Sequence, residues 1–368
     1  MTATERRRIR GHAVVPTAAL TCALATVVLT FAGAPSGSAA AAAGGPAGSA
    51  SLLSSAGVAD RQAAQEYWTP ERMATAQPAS TDAPKTLGTA EVTSTTKEAV
   101  STPAVATGTR STLAAGTAPR LARGVRSTDS IITGGAVSVS QTYGLGGPVT
   151  AKVGRLYFRQ AGRDYVCSAS SVEAKNSSVI VTAGHCVTDN GAPSTDAVFV
   201  PGLDGDYEPF GKWPVSSLYT TPQWMTGNQS SSAALNYDVG FAVVAPKNGT
   251  TLADTVGTLD IGFDATLQRV TVFGYPAAGG TSNGNTLKYC TGWRFADTHT
   301  TDQGTNCTMT GGSSGGPWVS RFSAATGSGT VTSVVSFSYD DAPTVLYGPR
   351  FGAEVRAVYD KASAVTVS

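Results

Sequence analysis

From Val153 to the C-terminus the apolar positions fall in short, β-branched runs: 154–158, 178–182, 197–200, 239–245, 269–273 and 330–337. Gly, Asn, Asp and Ser separate them. Short runs bounded by turn formers read as strands, and many in succession predict an antiparallel sandwich or barrel. The piece 352–362 is different, because Val355, Val358 and Tyr359 recur at helical spacing. A pause at 246–262 predicts a boundary between two halves. No internal repeat is evident.

Before Val153 the texture changes. From 41 to 130 the chain is rich in Ala, Ser, Thr, Gly and Pro, with Tyr67 and Trp68 as its aromatic residues. Such a segment has too little apolar surface to build a core alone and reads as largely flexible. An exception is 60–73, where Thr69 can cap a short helix that has Pro70 at its first position. At the very start, Arg6-Arg7-Arg8-Ile9-Arg10 precede an apolar stretch at 13–31 and small residues at 36–40. A basic region, an apolar region and a small-residue tail form an export signal. The tail argues for removal rather than for a retained membrane anchor, and no other apolar stretch is long enough to span a bilayer.

The remaining composition narrows the picture. Of 368 residues 14% are charged, with a formal net charge of +1. That balance argues against nucleic acid or an acidic surface as partner. Of five cysteines, Cys22 lies in the export signal. The other four allow three pairings. Local pairing, Cys167 with Cys186 and Cys290 with Cys307, is the simplest. A metal site would call for C-x-x-C spacing or clustered histidines. Neither is present, so no metal or cofactor is expected.

Three stretches carry candidate chemistry: Thr182-Ala183-Gly184-His185-Cys186, Tyr237-Asp238-Val239 and Gly311-Gly312-Ser313-Ser314-Gly315-Gly316-Pro317. A serine hydroxyl is a poor nucleophile unless a base takes its proton, and histidine titrates in the right range. The imidazole in turn needs a carboxylate to hold its tautomer and stabilise its charged form. Ser314, His185 and Asp238 would fill these roles. Backbone N–H groups of Gly312 and Ser314 are candidates for stabilising the oxyanion. Of the other two histidines, His12 lies in the export signal and His299 in a polar run that reads as a surface loop.

These motifs resemble those of the chymotrypsin-like serine peptidases, above all the secreted bacterial and actinobacterial ones, over roughly residues 130–368. Matching the family's Gly-Asp-Ser-Gly-Gly-Pro makes Ser314 rather than Ser313 the nucleophile. The family's aspartate before the nucleophile, which pairs with a newly cut N-terminus in animal members, is Ser313 here. Ile131-Ile132-Thr133-Gly134-Gly135 is one residue out of step with the start of activated chains. The resemblance implies an all-β fold of two packed antiparallel barrels, about 140–250 and 262–350, with a C-terminal helix. His185 and Asp238 would lie on the first barrel and Ser314 on the second. It also implies a disulfide bracing the histidine loop, a hydrogen bond from Ser336 near Asp238, and a substrate pocket with Thr308 at its floor and Met309, Ser336, Phe337 and Ser338 as walls. Thr308 carries no charge to select lysine or arginine, so no cleavage preference follows; Arg350 reads as a solvated surface residue.

The expected organisation is therefore an export signal at 1–40, a propeptide at 41–126 that docks through Tyr67 and Trp68, and a peptidase domain at 127–368. Arg120, Arg123 and Arg126 mark a maturation site near 126. The expected product is a secreted, extracellular, monomeric serine endopeptidase, free of membrane once the signal is lost, acting on protein or peptide substrates and partnered by its own propeptide. Two alternatives use the same fold or triad: a catalytically silent binding protein, and an esterase. Silent relatives usually lose a triad or oxyanion residue, and all are present. The α/β-hydrolase esterases place histidine last, whereas here it comes first.

Overall fold

A computed structural model describes residues 51–80 and 138–368, apart from 145, 230, 267 and 279–283. The expected export signal with His12 and Cys22, the arginines at 120, 123 and 126, and the stretch 131–135 lie outside the described residues.

Residues 51–80 form strand β1 (Ser51–Ser55), helices α1 (Val58–Tyr67) and α2 (Pro70–Thr75), and strand β2 (Gln77–Pro78). Then come β3 (Gln141–Thr142), β4 (Val153–Gln160), β5 (Arg163–Val172), β6 (Val179–Thr182), β7 (Thr195–Pro201), β8 (Trp213–Thr220) and β9 (Gly240–Val244). The second half holds β10 (Asp260–Ile261), β11 (Arg269–Gly274), β12 (Lys288–Trp293), β13 (Phe295–Ala296), β14 (Gln303–Asn306), β15 (Pro317–Ser323), β16 (Ser328–Val334) and β17 (Val345–Gly348). Helix α3 (Ala353–Ser363) ends the chain, where helical spacing places it.

The first half is a closed antiparallel barrel in the order β8-β9-β6-β5-β4-β7. It closes where β7 returns to β8, Phe199 facing Trp213 and Val198 facing Pro214. Closure leaves no barrel edge exposed. Alternate residues of each strand serve two cores. On β9, Ala242 and Val244 fill the barrel interior with Leu156, Phe158, Ile180 and Phe199. Phe241 and Val243 point outward into a second core shared with Phe273, Val319 and Val331 of the other half and with Val355 and Val358 of α3. Both faces are dry, so the strand reads as a continuous apolar run rather than an alternating one.

The second half is a sheet in the order β10-β16-β15-β11-β12-β3, flanked by a smaller sheet β13-β14-β17. The short strand β3 pairs with β12 of this second sheet rather than with the first barrel. Residues 51–80 lie along the first barrel. Here β1 adds to β8 and β2 runs parallel to β5. Trp68 is fully buried, packs on Tyr157 and donates its indole N–H to the Asp196 carbonyl at 2.6 Å. Thr69 caps α2 through the Arg72 N–H, with Pro70 behind it.

Both disulfides pair locally, Cys167–Cys186 and Cys290–Cys307. The second closes a sequence separation of 17 residues. Replacing both Cys290 and Cys307 by alanine is expected to cost about 3 kcal/mol, from restored unfolded-chain entropy. Urea unfolding is the measurement: the extrapolated stability is expected to fall by that amount, with a lower midpoint and a steeper slope because the freed unfolded chain exposes more surface; an unshifted midpoint would contradict it.

Candidate active site

The sequence after β6 cannot continue as strand, and Gly184–Cys186 makes a single 3-10 turn. The Cys186–Cys167 bond ties this turn to β5. His185, on the turn, is 5% exposed. Asp238 lies just before β9, after a short helix at Ser232–Leu235 capped by Ser231. It is completely buried. A carboxylate there must find donors, since an unpaired buried charge is costly. Asp238 finds three. Its Oδ1 accepts the His185 backbone N–H at 2.7 Å, and its Oδ2 pairs with His185 Nδ1 at 2.8 Å. The Ser336 hydroxyl donates to Oδ2 at 2.5 Å. A proton on Nδ1 leaves Nε2 as the basic nitrogen. His185 Nε2 is buried and has no hydrogen-bond partner.

Ser314 lies on a tight turn leading into β15. Ser313 Oγ donates to the Thr310 carbonyl at 2.7 Å, and the Gly316 N–H donates to the Ser313 carbonyl at 2.8 Å. Ser313 thus stabilises its own turn by a neutral hydrogen bond. The turn is also pinned from the first barrel: the Ser168 N–H donates to the Ser314 carbonyl at 2.7 Å and Ser168 Oγ to the Gly312 carbonyl at 2.9 Å. Two glycines are obligatory here. Gly315 has φ +80°, and a Cβ on it would sit 2.1 Å from Thr182 Oγ1. Gly312 has φ +94°, with the Ala277 N only 2.8 Å from its missing Cβ. Such conformations favour glycine strongly. Among the described residues, the Gly312 and Ser314 N–H groups donate to no protein acceptor. Ser314 Oγ is not hydrogen-bonded to Nε2 in this arrangement.

Beside Ser314 opens a cavity of 310 Å³. Met309, Ser336, Phe337 and Ser338, the expected walls, all line it, together with Val335, Tyr339 and Leu346. Thr308 does not. Its hydroxyl accepts the Ser140 N–H at 2.8 Å, which ties it to the segment entering β3. His299 is exposed, its ring edge-on to Tyr339. Arg350 is exposed and donates to the Thr301 carbonyl.

Sequence reasoning missed two groups. Ser168 follows a half-cystine and has no motif of its own. The other is an acid pair on the β13–β14 connection. Asp297 accepts hydrogen bonds from Tyr339 Oη at 2.8 Å and Thr300 Oγ1 at 2.6 Å. Asp302 is 1% exposed, and neither carboxyl oxygen has a hydrogen-bond partner. Burial pushes the Asp302 carboxyl well up, and the nearby charges of Asp297 and Asp238 push it further. Burial, then the bond to Asp297, raises the Tyr339 hydroxyl.

A closed barrel that carries a histidine–aspartate pair, packed against a second sheet whose glycine-bounded serine turn faces it, defines the chymotrypsin-like serine proteases. The comparisons agree. The chain is similar to the protease Anisep from Arthrobacter nicotinovorans, with 37% identity over 61% of this chain and 100% of that one, at a TM-score of 0.55. It is likewise similar to a thermostable serine protease, AL20, from an extremophilic microorganism, with 36% identity over 59% of this chain and 99% of that one, at 0.53. No protein-family model and no curated protein matches it. The chain belongs to the chymotrypsin-like serine proteases.

Asp302 yields a pH prediction. An acid whose pKa is raised in the folded state binds protons more tightly there than in the unfolded chain, so stability falls as pH rises above the ordinary aspartate value near 4. Asp302→Asn removes the ionisation. It is expected to raise stability at neutral pH and to flatten the decline. Thermal melts between pH 4 and 8 check this; a steeper fall in the variant would contradict it.

Proposed function

We propose that this chain is the precursor of a secreted serine endopeptidase that works through His185, Asp238 and Ser314. The supporting observation is the buried Asp238 that holds His185 by both backbone N–H and Nδ1. It leaves Nε2 unpartnered on a chain whose Ser314 turn carries two uncommitted amides.

The chemistry follows. His185 Nε2 takes the proton from Ser314 Oγ as the oxygen attacks the substrate carbonyl. Negative charge gathers on the carbonyl oxygen, which the Gly312 and Ser314 N–H groups stabilise; losing one such donor costs about 10²–10³ in rate. The imidazolium is stabilised by Asp238 and passes its proton to the leaving amine. An acyl-enzyme on Ser314 remains; water attacks it as the same imidazole takes the water's proton, and that proton returns to Ser314 Oγ as the acyl bond breaks. The side chain before the scissile bond enters the cavity walled by Met309, Ser336, Phe337 and Ser338. Ser313 makes no ion pair with a new N-terminus, so the site needs no buried ammonium to be competent.

Residues 1–40 act as the export signal and 41–126 as the propeptide, with maturation near Arg126. Two disulfides suit an oxidising, extracellular compartment. Among the described residues no helix is long and apolar enough to cross a membrane.

Fluorophosphonate labelling tests the nucleophile. Ser314→Ala is expected to abolish labelling and to reduce peptide hydrolysis on the order of 10⁶-fold. Ser313→Ala keeps its label. Label persisting in Ser314→Ala would move the nucleophile elsewhere. N-terminal sequencing of the secreted product is expected to begin just after Arg126, and a start before residue 100 would contradict that maturation site.

A further inference from the structure

An amide can stabilise an oxyanion only if something aims it, and the Gly312 N–H is aimed from behind. It shares one planar trans peptide with the Gly311 carbonyl, so the two groups point in opposite directions. Whatever holds the carbonyl therefore aims the amide. Glycine on both sides of that peptide supplies no steric restraint of its own. The Gly311 carbonyl is held twice, accepting the Ala277 N–H at 2.7 Å and the Ala278 N–H at 3.1 Å. Both donors lie on the segment that leaves β11. The same segment presses on Gly312, with the Tyr275 carbonyl oxygen 2.9 Å from where a Gly312 Cβ would sit.

This backing segment is itself fixed at two ends. At the near end the Tyr275 N–H donates to Ser168 Oγ at 2.9 Å. At the far end the Thr310 hydroxyl donates to the Ala278 carbonyl. Thr310 is exposed, so burial does not force that bond. Its backbone carbonyl meanwhile accepts from Ser313, through Oγ at 2.7 Å and through the N–H at 3.2 Å. One residue thus grips the backing segment with its side chain and the serine turn with its main chain. We propose that Thr310 is a positioning residue for the oxyanion site: its hydroxyl holds residues 277–278, their amides fix the Gly311–Gly312 peptide, and the Gly312 N–H is thereby aimed at the carbonyl under attack. The proposal rests on the serine peptidase reading and adds a residue to it. The aimed amide meets full negative charge only as attack proceeds. Thr310 therefore serves the transition state rather than the bound substrate.

The experiment uses the secreted enzyme and variants at this position. Thr310→Val keeps the β-branched shape and the carbonyl that Ser313 uses, and removes the hydroxyl. Thr310→Ser keeps the hydroxyl and removes the methyl group. Thr310→Ala repeats the loss of the hydroxyl without added apolar surface, and thermal melts show that each variant is folded. Three quantities are read: kcat and KM on a fluorogenic peptide, inhibition by a peptidyl trifluoromethyl ketone, whose adduct places an oxyanion at the amides, and inhibition by the matching peptidyl alcohol, which forms no adduct. Losing a whole oxyanion donor costs about 10²–10³ in rate, and a donor kept but loosely aimed is expected to cost about tenfold. Thr310→Val and Thr310→Ala are expected to lower kcat about tenfold at unchanged KM and to weaken the ketone by a similar factor. The alcohol is expected to bind all forms equally, and Thr310→Ser to match the unmutated enzyme. Unchanged kcat and ketone inhibition in the valine and alanine variants overturn the proposal and leave the peptidase reading intact. An equal loss in the serine variant also overturns it, because shape rather than the hydroxyl would be at work. So does a rise in KM alone, because Thr310 borders the cavity beside Ser314 and would then be a binding wall. An unmutated enzyme that neither hydrolyses peptides nor takes a fluorophosphonate label overturns the peptidase reading, and this inference with it.

Discussion

A carboxylate taken wholly out of water is the constraint on which the site depends. Asp238 sits at 0% exposure, and desolvating it costs several kcal/mol that only well-placed donors offset. Two donors come from His185 and one from Ser336. The first pair lies at the end of a strand in the closed barrel; the third lies just beyond β16 of the other sheet. Of the bonds that keep the buried charge tolerable, the one from Ser336 joins the two halves and the pair from His185 orients the imidazole. Removing any one donor would loosen the site and strand part of the charge.

Close backbone approach does for Ser314 what hydrogen bonding does for His185. The absence of a side chain at Gly315 lets the serine turn press against Thr182 and Ser168 in the first barrel. Ser168 then holds the turn through its amide and its hydroxyl, and the hydroxyl also accepts the Tyr275 N–H. Its neighbour Cys167 is bonded to Cys186, beside His185. One short piece of β5 thus sets the serine turn, the histidine turn and, through Val166, the position of residues 77–80. Geometry this dense explains how a small seam between two sheets can hold chemistry.

Elements built from β-branched runs were legible because each sits in a dry environment on both faces. The runs at 178–182, 239–245 and 269–273 are strands in the structure. Strands that mix sizes and polarity were not legible. Gln303–Asn306 has no apolar side chain, yet Gln303 is 1% exposed and Thr305 fully buried. Its backbone pairs with Val345–Gly348, a strand far away in sequence, which hydropathy cannot report. The same holds for β5, where Ser168, Ser170 and Ser171 are buried at a seam that needs small residues. The helix at Pro70–Thr75 and the one at the C-terminus were legible from a cap and from spacing, both local properties.

Local chemistry in the chain determined the kind of residues available: a serine between glycines, one histidine beside a half-cystine, an aspartate before an apolar run, four cysteines spaced for local pairing, and a tyrosine–tryptophan anchor in a small-residue segment. Those are properties of neighbours, and neighbours are what a sequence lists. Tertiary structure alone decided that Thr308 faces Ser140 instead of the cavity, that Asp302 loses its water beside Asp297, and that Ser80 borders both the cavity beside Ser314 and the one beside His185. Each depends on which distant surfaces pack together, and desolvation and steric fit come into being only once they have.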